Sequence, residues 1–424
     1  MGARVVEARP QRRSPAALEA LNFFMADMQA GIGPFLGVFL KQHGWATAAI
    51  GLVMTLGGVA GMAVTAPAGA LVDATTRKRT YVIISGVFTV LASSLVWVSQ
   101  SFWVIAGSQI ATAVAGAAIG PAVVGMTLGI VRQRGFNRQN GRNQAFNHAG
   151  NMVGAGLSGL LGWRFGFGAV FWLAAVFGLL SIASVLAIPR RSIDDSAARG
   201  LASDSQGHGA VKRWKVLYEC KPLLVLAACL ALFHLGNGAM LPLYGLAAVS
   251  AHKGDPAGFV ALTIVVAQGV MVLASIAAMK LAERQGYWWV ILITFVALPI
   301  RGLVAALVIQ GWGVFPVQAL DGVAAGLQSV AVPGLVARLL NGTGHVNAGQ
   351  GAVMTVQGVG ASLSPALGGA IAQAIGYPPA FLFLGSFAIG SIALWLAFSP
   401  LLKPACAQLG DGRNTALTAR TGAE

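Results

Sequence analysis

Charged residues are scarce in this chain. Asp, Glu, Lys and Arg make up 10% of the 424 residues, whereas a soluble protein carries about 25%. So little polar sequence cannot cover the 56% of residues that are hydrophobic, which excludes a soluble globular fold. Apolar runs of roughly 20 residues instead predict membrane-spanning helices. The 56 glycines fit close packing of such helices in lipid.

The residue patterns of enzymes and metalloproteins are also missing. Three cysteines, Cys220, Cys229 and Cys406, provide neither a disulfide framework nor a metal site. The glycine clusters lack the spacing and the lysine of a phosphate-binding loop, and no nucleophile elbow is present. We therefore expect no cofactor, no ATP-driven transport and no catalysis.

The pattern of apolar runs predicts an all-α membrane protein with twelve transmembrane helices. The predicted spans are 17–40, 46–72, 80–98, 103–131, 140–163, 167–188, 222–250, 257–282, 287–309, 312–339, 347–375 and 378–400. If both termini are cytoplasmic, 24 of the 28 Lys and Arg fall on the inner side, as the positive-inside rule requires. We therefore expect a multi-pass protein of the bacterial inner membrane. Its net charge of +15 serves topology and attraction to membrane lipids. The basic residues are scattered over short loops, which argues against nucleic-acid binding.

These spans predict two pseudo-symmetric six-helix bundles in a monomer. The predicted units are an N-terminal cytoplasmic tail (1–16), the first bundle (17–188), a cytoplasmic linker (189–221), the second bundle (222–400) and a C-terminal cytoplasmic tail (401–424). The linker is either a regulatory docking loop or a flexible tether, and its polar composition favours the tether.

Polar landmarks recur in the two halves at offsets of 206 to 210 residues. The matched pairs are Gln109 with Gln318, Thr112 with Asp321, Gln144 with Gln350, and Asn151 with Gln357. A run of such matches indicates a duplicated bundle whose halves run in the same direction. Such bundles place a solute site at the repeat interface.

A short turn after the second span carries the most informative motif. It comprises Gly69, Leu71, Asp73, Arg77, Lys78 and Arg79, and a weaker copy with Glu283 follows 210 residues later. This motif, with the six-plus-six layout, resembles the major facilitator superfamily. The resemblance implies alternating access and makes Asp73 a latch between the bundles, with Arg77 beside it in the gate. From its position, Asp73 is expected at the membrane edge, and the basic residues also obey the inside rule.

Charged groups inside spans are costly, and they are usually paired or functional. Asp27 has no evident cation at its depth, so we predict that it couples transport to protons or contacts substrate. His234 and Asp321 are further candidates for this role. Arg301 and Asp321 lie at the same depth on antiparallel helices, which predicts a buried ion pair.

Amide and hydroxyl side chains inside the spans predict a wet path, because such groups avoid lipid. The candidate cavity-lining residues are Gln29, Gln109, Thr112, Asn147, Asn151, Asn237, Gln318, Gln328 and Gln357. Hydrogen bonding between helices is the alternative role for each of them. His148 lies beside this stripe and is a weaker candidate.

These observations predict a secondary active transporter of a small solute, with protons as the coupling ion. The first hypothesis is export of an amphipathic or cationic compound. The alternative is proton-driven uptake of a metabolite such as an organic acid, a sugar or a chelate. A third hypothesis, from another class, is a membrane sensor or scaffold that transports nothing; a large soluble output domain would favour it.

Overall fold

The computed structural model describes residues 13–30, 36, 40, 43–45, 47–99, 101–201, 215–251, 256–309 and 311–407. Every regular element within them is helical. The α-helices are α1 (Arg13–Ala30), α2 (Thr47–Ala74), α3 (Lys78–Val98), α4 (Phe102–Gly116), α5 (Ile119–Phe165), α6 (Phe167–Leu186), α7 (Asp195–Arg199), α8 (Lys215–Glu219), α9 (Lys221–Asn237), α10 (Met240–Ala251), α11 (Pro256–Gln285), α12 (Tyr287–Leu307), α13 (Val314–Leu339), α14 (Val346–Ile375), α15 (Tyr377–Ala397) and α16 (Ser399–Cys406).

Nine stretches of the described residues combine the length and apolarity of a membrane span. One of them, Phe102–Gly162, is 61 residues long and covers both the fourth and the fifth predicted spans. α1 and α14 occupy the positions of the first and eleventh predicted spans but lie outside these nine stretches. The predicted all-α membrane architecture is confirmed.

Single glycines connect helices that follow one another in sequence. Gly166, Gly286 and Gly376 have φ angles of 78°, 75° and 96°, a region that glycine adopts at little cost because it lacks a Cβ atom. Gly166 and Gly376 are 210 residues apart and follow α5 and α14. The same turn at corresponding places supports the duplicated plan.

The first bundle (α1–α6) and the second bundle (α9–α15) meet chiefly along two helix pairs. α2 packs against α14, and α5 packs against α11. Under the repeat α2 corresponds to α11 and α5 to α14, so the two pairs are related by the pseudo-symmetry. Within the bundles, α1 packs on α5 and α6, while α9 packs on α14 and α15. In lipid such contacts are held by close packing and interhelical hydrogen bonds.

A break inside α5 separates the fourth and fifth predicted spans. Arg132 has φ 55° and ψ 178° within this 47-residue helix, and it is the one described non-glycine residue with positive φ. The break frees the carbonyl of Gly129 from the helical hydrogen-bond pattern. The backbone N–H of Asp194 donates to that carbonyl at 3.0 Å, and Arg132 Nη2 lies 3.1 Å from Asp194 Oδ2. The linker therefore docks at the break.

The described first part of the linker is folded and packed, which corrects the expectation of a flexible tether for these residues. The Asp194 carboxylate caps α7 by accepting from the N–H groups of Ser196 and Ala197. Ala198 of α7 is fully buried. Just after α7, the carbonyl of Gly200 accepts a hydrogen bond from the N–H of Gly342. The segment thus contacts the first bundle at the α5 break and the second bundle just before α14. Residues 202–214 lie outside the described part of the chain.

Candidate transport site and latch

The loop-motif aspartate joins the two bundles. Asp73 stands in the last turn of α2. Its carboxylate accepts from the N–H of Asn347 at 3.3 Å, from Asn347 Nδ2 at 2.7 Å and from the N–H of Ala348 at 2.7 Å. These donors form the start of α14, where N–H groups lack helical partners and the helix dipole favours an anion. Asp73 is 6% exposed, so it is buried rather than placed at an open membrane edge. We call this end of the molecule, which carries Asp73 and Asn347, the latch end.

Small residues bring α2 and α14 into direct backbone contact here. A Cβ atom on Gly69 would overlap the backbone of Asn347, and one on Gly351 would overlap that of Thr65. Farther along, Thr355 Oγ1 donates to the carbonyl of Met62 at 3.2 Å. The two helices are therefore closed against each other over several turns from the latch end.

The three basic residues of the motif take different roles. Lys78 is 1% exposed, and its ammonium donates to the Thr75 carbonyl at 2.8 Å. Arg79 donates to the carbonyls of Val185 and Leu186 at the end of α6, at 3.2 and 3.0 Å. The Arg77 side chain is exposed, which does not support its expected place in the gate beside Asp73.

The second copy of the motif is built differently. Glu283, the counterpart of Asp73, is exposed and forms no ion pair among the described residues. Instead, Asn137 Nδ2 on α5 donates to the Met279 carbonyl on α11 at 3.0 Å, and Gly141 packs against the Met279 side chain. A neutral hydrogen bond and side-chain packing close this pair.

A cavity of ≈ 330 Å³ lies between the two bundles. It extends from the middle of α13 and α14 toward the latch end, and none of its described lining residues is charged. Its polar lining comprises Asn22, Thr127, Asn140, Asn143, Gln144, Asn147, Gln328, Ser329, Gln350 and Gln357. Both bundles contribute to this lining, so the cavity can hold a solute that exchanges hydrogen bonds with both.

Some of the predicted cavity residues line this cavity and others lie outside its lining. Those that line the cavity are Asn147, Gln328 and Gln357. Asn151 lies outside its lining but donates to Asn147 Oδ1 at 3.3 Å. Asn22, Asn140, Asn143 and Gln350 line the cavity without having been among the candidates; three-residue and four-residue spacing along α5 is the signal that could have found Asn140 and Asn143.

Four other predicted cavity residues lie outside the lining of the described cavity. Thr112 Oγ1 contacts Ser93 Oγ at 3.3 Å within the first bundle, and Gln109 packs against Gly57. Gln318 is completely buried, with no hydrogen-bond partner among the described residues. Asn237 accepts from Arg301 Nη1 at 2.6 Å. These side chains lie between helices, which is the alternative role named for them in the sequence analysis.

A polar network fills the interior of the second bundle. Arg301 Nη1 lies 2.7 Å from Asp321 Oδ1, so the pair predicted from equal depth is in contact. Arg301 is 1% exposed, and a buried charge needs such a partner. His234 Nε2 lies 2.8 Å from Gln328 Oε1, which connects this network to the cavity.

Two further polar groups tie helices together near the cavity. His148 on α5 contacts Gln268 Oε1 at 2.9 Å and Ser329 Oγ at 3.2 Å, and both partners belong to the second bundle. Glu19 on α1 is 5% exposed and pairs with Arg142 Nε at 2.9 Å. Sequence reasoning missed Glu19, because it stands at the start of a span where an acid resembles a solvated end. The side chains of Asp27 and Gln29 lie outside the described residues.

Comparison with known proteins shows which family has this architecture. A family model described as Major Facilitator Superfamily matches residues 18–317. An uncharacterized MFS-type transporter of Mycobacterium tuberculosis, found in strains CDC 1551 / Oshkosh and H37Rv, is 36% identical over 402 residues, which is 94% of this chain and 96% of the relative.

Solved structures show the same fold. The MFS transporter FucP in its outward conformation aligns with a TM-score of 0.70 at 16% identity, covering 92% of this chain and 99% of FucP. A variant of FucP, described as the E. coli fucose:proton symporter, aligns with a TM-score of 0.69 at 14% identity, with the same two coverages. With the family model and the relatives, this makes the chain a member of the major facilitator superfamily of membrane transporters.

Proposed function

We propose that this protein is a secondary active transporter that carries a small solute across the bacterial inner membrane by alternating access. The cavity between the bundles is the observation that carries the proposal. Its polar groups come from two bodies joined by one linker, so rocking one body against the other would expose the cavity to either side in turn.

The closed latch end supports an outward-facing assignment for this conformation. The motif arginines and lysine, together with Arg134 and Arg338, cluster at this end, as the positive-inside rule expects of a cytoplasmic face. Both termini then lie in the cytoplasm. The likeness to the outward conformation of FucP agrees with this assignment.

Proton coupling through Asp27 is the next step of the proposal. The sequence offers Asp27 no evident cation at matching depth, and a carboxylate without one in the bilayer interior can load and release a proton near neutral pH. Asp321 is a weaker candidate because Arg301 neutralises it at 2.7 Å. His234 is held by Gln328 at 2.8 Å, so we assign it a modulating role.

The solute and the direction of transport follow from the cavity chemistry. Amides beside apolar groups suit an amphipathic, hydrogen-bonding solute, and the leading direction is export. A cationic solute would need Asp27 as its counter-charge. Uptake of a metabolite is the second candidate: the uncharged lining suits a sugar, and a fucose:proton symporter shares the fold. A non-transporting sensor or scaffold is the alternative from another class.

Reconstituted protein in liposomes tests the proposal. A panel of amphipathic cations, neutral sugars and organic acids would be screened for movement driven by an imposed pH gradient, in both orientations of the gradient. Asp27→Asn, which mimics the protonated carboxyl, is expected to abolish gradient-driven movement and to spare solute exchange. Asp27→Glu, the matched control, keeps the carboxyl and should retain coupling.

The outcomes separate the parts of the proposal. Undiminished accumulation by Asp27→Asn would assign the coupling to another group while leaving transport intact. Absence of gradient-driven movement for every solute, with folded wild-type protein, would favour the sensor or scaffold.

A further inference from the structure

Three amide side chains on the wall of the transport cavity have their orientation fixed by the backbone. Asn22 Nδ2 on α1 donates to a carbonyl of its own helix at 2.8 Å, and Asn140 Nδ2 on α5 donates to the Val330 carbonyl on α13 at 3.3 Å. Gln350 Nε2 on α14 donates to a backbone carbonyl of α13 at 2.8 Å. A carbonyl binds only the nitrogen end of an amide, so the oxygen is the polar atom that each side chain has left.

The three amide oxygens are unpaired and remain accessible. Asn22, Asn140 and Gln350 are 2%, 2% and 3% exposed, and all three line the cavity. Their oxygens have no hydrogen-bond partner among the described residues, yet they are not enclosed, as the amide nitrogen of Gln328 is. Both bundles contribute these oxygens, so a solute that bound all three would contact both bundles.

The other amides of the lining do not balance this excess of acceptors. Asn143 and Asn147 use both ends of their amides within the first bundle, and Gln328 Oε1 already contacts an imidazole. Gln144 and Gln357 line the cavity with both amide atoms unpaired among the described residues, so each offers one donor group and one acceptor. The described lining thus has more free acceptors than donors, and a solute that satisfies it must supply hydrogen-bond donors.

The charge of the lining narrows the solute further. No described lining residue is acidic or basic. An anion would lose its hydration and face the oxygen ends of the amides, which argues against an organic acid. A quaternary ammonium has no N–H to donate. A hydroxyl group both donates and accepts, so it can donate to a fixed oxygen and accept from the amide nitrogen of Gln144 or Gln357.

We propose that the solute is a neutral polyol, such as a sugar or a sugar alcohol, whose hydroxyls donate to Asn22 Oδ1, Asn140 Oδ1 and Gln350 Oε1. This inference rests on the proposed transport function and names the solute class of the same cavity. The cavity volume of ≈ 330 Å³ lies at the lower end of the roughly 300–1,000 Å³ of small-molecule sites, which suits a small sugar.

Thermal unfolding of the full-length protein tests the solute class, in a detergent without a sugar headgroup so that the detergent does not compete. The probes are hexoses, pentoses and their sugar alcohols. The strongest binder is then compared with its mono-O-methyl ethers and with its carboxylic acid form. We expect saturable stabilisation by at least one polyol and none by its acid. Methylation of a contacting hydroxyl should weaken binding roughly tenfold, because it leaves a buried oxygen unpaired.

Variants connect the preference for a free hydroxyl to particular oxygens. Asn140→Ala removes one of the three, so the ratio of sugar affinity to ether affinity should fall roughly tenfold for one of the ethers. Asn151→Ala, on the same helix but outside the lining, is the matched control and should leave every ratio unchanged. Gln350→Met makes the same test from the second bundle if Asn140→Ala does not fold. A loss of stability alone would not move these ratios.

The proposal is overturned if no polyol gives saturable stabilisation, or if the ethers or the acid bind as well as the parent sugar. Unchanged ratios in the folded variants would overturn it too. Binding is measured without movement across a membrane, so the two proposals can fail separately. A polyol that binds as expected while liposomes move no solute would contradict transport and support the solute class. Gradient-driven movement of a cation or an acid, with no polyol bound, would support transport and overturn the solute class.

Discussion

The two halves of this transporter share one plan and close the latch end by different means. In the α2–α14 pair a buried carboxylate, Asp73, meets the start of a helix through three hydrogen bonds. In the α5–α11 pair the counterpart, Glu283, stays exposed, and Asn137 makes a neutral bond to a carbonyl. Both halves thus keep the contact between the two helices, but only the α2–α14 contact contains a carboxylate. One contact depends on an ion and the other on packing, so the two should respond differently to substitution.

The largest expected effect lies inside the second bundle, at the ion pair that has no described counterpart at the same depth in the first. Arg301→Ala leaves Asp321 without its buried partner, which should lower the free energy of unfolding by about 3–5 kcal/mol. Arg301→Ala combined with Asp321→Ala should recover part of that loss. A double-mutant cycle followed by thermal unfolding measures the coupling, and additive losses would contradict the pair.

Neutralising the latch should have the next largest effect. Asp73→Asn removes the charge that three donors face, and we expect a loss of about 1.5–3 kcal/mol from the closed state, or a shift of roughly ten- to a hundredfold in its population. Spin labels at Arg77 and Asn341, both exposed, would report the distance between the bundles at this end.

Glu283→Gln is the matched control for the latch, and its distance distribution should stay close to wild type in detergent without added lipid. Equal shifts in the two variants would show that the halves close alike.

The amide partners of the two contacts should differ by a smaller amount. Asn347→Ala removes donors to Asp73 at 2.7 Å and to the Ala198 carbonyl at 2.9 Å, which predicts a loss of about 2 kcal/mol. Asn137→Ala removes one bond, with a predicted loss of about 1 kcal/mol. Thermal unfolding of both variants ranks them, and the reverse order would place the main closure at the α5–α11 pair.

The smallest effect on stability is expected at the end of the second bundle, where Gly286 packs on Cys406, because the test there is a labelling rate and removes no contact. Burial raises the pKa of the Cys406 thiol to about 12, so the reactive thiolate is depleted at neutral pH. Labelling of Cys406 by a maleimide should be slower than that of a free thiol by roughly a thousandfold and should speed up as the pH rises. A Cys220→Ser, Cys229→Ser background isolates the signal. Rapid labelling at pH 7 would show that this packing opens.

The sequence was sufficient to predict features that depend on charge and on depth in the membrane. The Arg301–Asp321 contact followed from equal distances along antiparallel helices, and the all-α membrane architecture followed from apolar length. The burial of Asp73 was not accessible, because it depends on α14 arriving from the other bundle. The docked linker was equally hidden, since it requires the break at Arg132, where neither glycine nor proline stands.

The cavity lining shows the same limit. Helical spacing placed Asn147, Gln328 and Gln357 on inward faces, and they line the cavity. Spacing could not distinguish a helix face that lines the cavity from one that packs on another helix, and Thr112 and Gln318 lie outside the lining of the described cavity.

The docked segment around Ala198 bears on where this polypeptide can be divided. Gly200 and Ala198 already carry contacts to the second bundle, while Asp194 anchors the same segment to the first. Dividing the gene after Leu201 would leave this segment on the first fragment, where it could dock on the second fragment. Two such fragments made in one cell should find each other and reassemble, whereas a pair from which residues 190–201 are deleted should reassemble less well.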